Sequence, residues 1–150
     1  MKNRSLVLAV FIACITVMFV TTGIYAGTKA EDVIKLESSY KHKKGIVEFN
    51  HKKHQTDYKL GCGECHHDKN GKALTSLKEG DDVQRCFECH NKPGELKGKA
   101  AKGLSSKEKL MYHANALHAN CKGCHKAYNK KNKTKKAPTT CRKCHPKKKK

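Results

Sequence analysis

The chain has 150 residues, a formal charge of +20, no tryptophan and a mean hydropathy of −0.79. That length allows one compact domain, and a lysine-rich chain with so few large apolar side chains excludes an ordinary hydrophobic core; small domains of this kind are held by disulfides, metals or cofactors. The charge is uneven, with 17 basic and 13 acidic side chains in residues 27–108 but 14 basic and none acidic in residues 109–150.

Residues 1–26 begin with a basic head (Lys2, Arg4), continue as an apolar run from Leu6 to Val20, and close on small residues at Ala26. This is the layout of a secretory signal peptide cleaved near Ala26, and an uncleaved membrane anchor is its alternative. Cleavage leaves residues 27–150 as one domain with a basic C-terminal tail and no stable membrane insertion. Cys14 lies within the apolar run and reads as filler there.

Residues 33–49, "VIKLESSYKHKKGIVEF", read as two short extended runs around a basic turn, a small hairpin. The segments "DKNGKA", "NKPGELKG" and "KAPTT" carry turn chemistry. One helix is predicted from "SSKEKLMYHANALHA", where Ser105 and Glu108 fit a capping box and Leu110, Ala114 and Leu117 share a face. The tail "HPKKKK" lacks the interleaved aromatics of a nucleic-acid binder, and export argues against that role, so no nucleic-acid partner is expected.

The eight cysteines after the leader form four pairs of identical spacing: Cys62/Cys65, Cys86/Cys89, Cys121/Cys124 and Cys141/Cys144. A histidine follows each pair at once: His66, His90, His125 and His145. C-x-x-C-H is the attachment motif of c-type haem, in which two thiols form thioethers and the histidine ligates iron. Zinc or a disulfide framework gives no reason for a histidine after every pair. Four haem c groups are therefore expected.

Beyond the leader the chain has one methionine, Met111, which cannot serve four irons as sixth ligand. Six histidines remain: His42, His51, His54, His67, His113 and His118. They suffice for four bis-histidine haems, whose potentials would be lower than those of His/Met haems. His42, in "YKHKKG", reads as a solvated surface residue, while His113 and His118 compete for one role. His67 follows His66 directly and cannot reach the opposite face of the same porphyrin; if it binds iron, that iron belongs to another haem.

The series "FNHKKH", "CGECHH", "CFECH", "YHANALHANCKGCH" and "CRKCH" resembles the tetrahaem members of the class III multihaem cytochrome c family, over about residues 33–145. Two departures are visible: family members often have four residues between the cysteines of motifs two and four, and the step from His118 to Cys121 is tighter here. The resemblance implies a mostly irregular fold with few short helices and a short N-terminal β-hairpin, wrapped around four haems. It assigns His51 as distal ligand of haem one, His67 of haem two, His54 of haem three, and His118, with His113 as alternative, of haem four. It implies a non-enzymatic, monomeric, periplasmic electron carrier of sulfate- or metal-reducing anaerobic respiration. Its expected partners are acidic redox proteins such as a periplasmic hydrogenase and a membrane-bound cytochrome complex. A terminal metal reductase, which would need an open iron position, or a subunit of an extracellular haem filament are the alternatives.

Overall fold

The computed structural model describes residues 31–147; the predicted leader, 1–26, lies outside them. The first described element is the predicted hairpin, β1 (Val33–Lys35) paired antiparallel with β2 (Glu48–Asn50). Ile34 stands opposite Phe49, and strand alternation turns these two inward while their neighbours face solvent. Helix α1 (His51–Thr56) starts directly after β2, because the Asn50 side chain accepts a hydrogen bond from the Lys53 N–H at 3.0 Å. Three-residue spacing puts His51 and His54 on one side of this helix.

A 3-10 turn (Cys62–Glu64), helix α2 (Cys86–Cys89) and a second 3-10 turn (Gly98–Ala101) lead to α3 (Ser106–Leu110). The predicted capping box is present: Glu108 N–H donates to the Ser105 hydroxyl at 3.3 Å and Ser105 N–H donates to the Glu108 carboxylate at 2.8 Å. The helix expected to run on through residue 119 instead breaks at Tyr112, which is extended (φ −83°, ψ 123°). Lys92 causes the break: its N–H donates to the Met111 carbonyl at 3.0 Å, and its carbonyl accepts from His113 at 2.9 Å. The Ala114 N–H continues this pairing onto the Gly94 carbonyl at 3.1 Å.

Helix then resumes as α4 (His113–Leu117), loosens into a π turn (His118–Lys122), and tightens into α5 (Gly123–Lys131). The third cysteine motif thus lies in helix, and Leu110 is left exposed while Ala116 is buried. Helix α6 (Cys141–Cys144) completes the series, and the residues just after it, His145 and Pro146, meet Gly45 of the hairpin loop. A Cβ at Gly45 would overlap the Pro146 carbonyl, so only glycine lets the hairpin loop approach this closely.

Among the described residues only Ala116 and His113 are buried, and no side chain is fully enclosed. The side chains of the described residues do not form a core, as the composition predicts. No helix among the described residues is long and apolar enough to cross a membrane.

Candidate haem centre

Three C-x-x-C-H sequences form a single helical turn each and the third lies within the longer run of π turn and α5, an arrangement that brings the two thiols and the following histidine together through i, i+3 and i+4 spacing. In three of the motifs the histidine N–H closes the turn onto the first cysteine's carbonyl: His66 on Cys62 (2.9 Å), His90 on Cys86 (2.9 Å) and His145 on Cys141 (2.7 Å). Gly63 in the first turn packs against the Leu74 and Thr75 backbone, where an added Cβ would stand 3.1 Å from both.

Every motif histidine faces a histidine from elsewhere. Ring centres are 6.4 Å apart for His51 and His66, 6.2 Å for His54 and His125, 5.8 Å for His67 and His90, and 6.4 Å for His118 and His145. A metal–nitrogen bond is about 2 Å, and a ring centre lies about 1 Å further, so two histidines on opposite faces of one iron need ring centres about 6 Å apart. The four pairs fit an axially ligated iron between them.

The tautomers fit as well. The Nδ1 of His54 lies 2.8 Å from the Asn50 carbonyl, that of His67 2.7 Å from Asp68, and that of His90 2.6 Å from Leu110. His125 pairs likewise with Pro138 at 2.7 Å and His145 with Gly45 at 2.8 Å. A carbonyl can only accept, so Nδ1 carries the proton and Nε2 keeps its lone pair for a metal. His118 Nδ1 instead meets a carboxylate, Glu95 Oε1, at 3.2 Å.

Burial, aided by His51 and His67, holds the His66 pKa below the usual histidine value, which keeps its ring neutral and able to ligate. Burial also raises the thiols of Cys65, Cys86, Cys121 and Cys144, and pushes Cys121 up to about 11. In a haem-free chain at neutral pH these groups stay protonated, a form that is a poor nucleophile and a poor metal ligand. All eight described cysteines are free of disulfides.

His42 and His113 lie outside the four pairs. The Tyr40 ring stacks on His42 at 4.9 Å, and its hydroxyl lies 3.1 Å from His113 Nδ1. Phe87 meets the His113 ring edge-on at 6.3 Å. His42 is therefore half-buried against an aromatic ring, a correction to its reading as a solvated residue. Its Nε2 also lies 3.1 Å from the Ser38 hydroxyl. Glu95 and the carbonyls that orient the rings carried no signal in the sequence, because a backbone acceptor has no residue type and Glu95 belongs to no motif.

Repeated thioether-type turns, each with a second histidine across from its own, on a scaffold without a protein core, define a multihaem c-type cytochrome. The model of the class III cytochrome C family matches residues 28–145, and the chain belongs to that family. It is 35% identical to cytochrome c3 of Maridesulfovibrio salexigens over 126 residues, covering 80% of this chain and 96% of the relative. It is 31% identical to cytochrome c3 of Desulfovibrio desulfuricans, covering 79% and 95%. A third cytochrome c3, from Nitratidesulfovibrio vulgaris, is 30% identical, covering 76% and 75%. Membership makes the chain a haem c protein of electron transfer, with redox partners.

Proposed function

We propose that the chain binds four haem c groups, each with two histidine ligands, and serves as a low-potential periplasmic electron carrier between a hydrogenase and a membrane-bound redox complex. The observation that carries this reading is the set of four facing histidine pairs at 5.8–6.4 Å. Haem one would be held by Cys62, Cys65, His66 and His51; haem two by Cys86, Cys89, His90 and His67. Haem three would be held by Cys121, Cys124, His125 and His54; haem four by Cys141, Cys144, His145 and His118. The contacts of His113 with Tyr40 and Phe87 favour His118 for that last position.

Bound haem supplies one-electron iron chemistry. The paired histidines would hold each iron from both sides, which suits electron transfer rather than substrate binding and would keep potentials below those of His/Met haems. The signal-peptide layout of residues 1–26 supports the periplasmic placement, and the family supports anaerobic, sulfate- or metal-reducing respiration.

The acid-free stretch 109–150 surrounds motifs three and four in sequence and forms the docking surface for an acidic partner. Its charge acts mainly on the encounter rate. Reduction by a periplasmic hydrogenase under hydrogen is expected to slow as salt rises from about 10 mM to 1 M, where the screening length falls from about 30 to 3 Å. Changing Lys147, Lys148, Lys149 and Lys150 to glutamine should lower the low-salt rate several-fold. A stopped-flow rate indifferent to both changes contradicts this docking site.

A further inference from the structure

We propose that Glu95 tunes the potential of the fourth haem through His118. The proposal rests on the His118–His145 ligation proposed above. Among the described residues, five axial histidines give Nδ1 to a neutral backbone carbonyl, whereas His118 gives it to the Glu95 carboxylate at 3.2 Å. A carboxylate partner raises the basicity of a ligating histidine more than a carbonyl does. More electron donation from Nε2 favours ferric over ferrous iron, so the potential falls.

The placement of Glu95 is built rather than incidental. The residue next to it is clasped on both sides: Leu96 N–H donates to Asn115 Oδ1 at 2.7 Å, and Asn115 Nδ2 donates to the Leu96 carbonyl at 2.9 Å. Asn115 lies in α4, three residues before His118, so the clasp ties the segment that bears Glu95 to the helix that leads into His118. The second carboxylate oxygen is held by Lys97 at 2.8 Å, which leaves Oε1 for the histidine. The surrounding sequence explains why a carboxylate is useful. Residues 109–150 contribute basic groups and no acidic ones, a field that would raise the potential of an iron among them. Glu95, contributed from an earlier segment, opposes that field at the ligand itself.

Glu95→Gln keeps the side chain's shape and removes its charge. In the haem-loaded protein it is expected to shift the reduction equilibrium of one haem about tenfold toward the ferrous form, about 59 mV for one electron. The other three potentials should stay in place and all spectra should remain low-spin. The readout is a redox titration followed through individual haem-methyl resonances. Glu95→Asp should restore most of the shift, and the same charge change at exposed Glu37, Glu37→Gln, should move no single haem. An unmoved set of four potentials, or an equal shift from Glu37→Gln, overturns the proposal. His118→Ala separates this from failure of the ligand assignment. One high-spin haem in His118→Ala, with Glu95→Gln silent, upholds the ligand and refutes the role of Glu95. Four low-spin haems in His118→Ala refute the ligand assignment and the proposal with it.

Discussion

A variant with serine at Cys62, Cys65, Cys86, Cys89, Cys121, Cys124, Cys141 and Cys144 is expected to lose cooperative folding altogether. Among the described residues the only buried side chains are Ala116 and His113, and no side chain is fully enclosed. The regular elements are too short to stand alone: α2 and α6 have four residues each, and the hairpin strands have three each. Ordering so many residues costs far more conformational entropy than this apolar burial offsets, so the missing contribution must come from the attached groups. Thioethers at these cysteines would also close the chain into short loops, a constraint the serine variant lacks. Far-ultraviolet circular dichroism should show no sigmoidal melt, and protease should cleave between the motifs at once. A cooperative melt with protected amides would show that the protein scaffold folds without its cofactors.

The second large effect is expected at His67. His66 and His67 are adjacent, yet the structure sets them against different partners, His51 at 6.4 Å and His90 at 5.8 Å. The segment is held by the chain where it returns past it: Leu74 N–H donates to the His66 carbonyl at 2.9 Å, and His67 forms an isolated bridge with Ala73. Under the proposed ligand assignment, adjacent residues would join two haem sites. His67→Met is expected to raise one potential on the order of 0.1 V, within the ~0.8 V span that axial ligands command. The haem affected is the one at Cys86 and Cys89, while the haem at Cys62 and Cys65 stays six-coordinate. Potentiometry with assigned haem resonances makes the comparison. A change confined to the haem at Cys62 would show that His67 serves its own motif.

The cysteine and histidine arithmetic made most of the candidate site legible because covalent attachment demands fixed residue types at fixed spacing. The hairpin and the Ser105/Glu108 cap were legible for a similar reason, since strand alternation and capping are local rules. The break at Tyr112 was not legible. It depends on Lys92, 20 residues away in sequence, whose backbone competes for the hydrogen bonds of residues 111–113. The same holds for His113, whose helical position suited a ligand but whose ring is held by Tyr40 and Phe87. Long-range backbone pairing leaves no trace in local periodicity. Gly45 is a further case: its lack of a side chain matters only because Pro146 reaches it from the far end of the chain.

The most direct measurement of the whole arrangement is a pyridine haemochrome assay on the purified protein, with the chain quantified by intact mass. Four haems per chain, at the mass of residues 27–150 plus four covalent additions, is the predicted result. Three or fewer haems on a full-length mature chain would leave at least one histidine pair without an iron and contradict the four-centre arrangement.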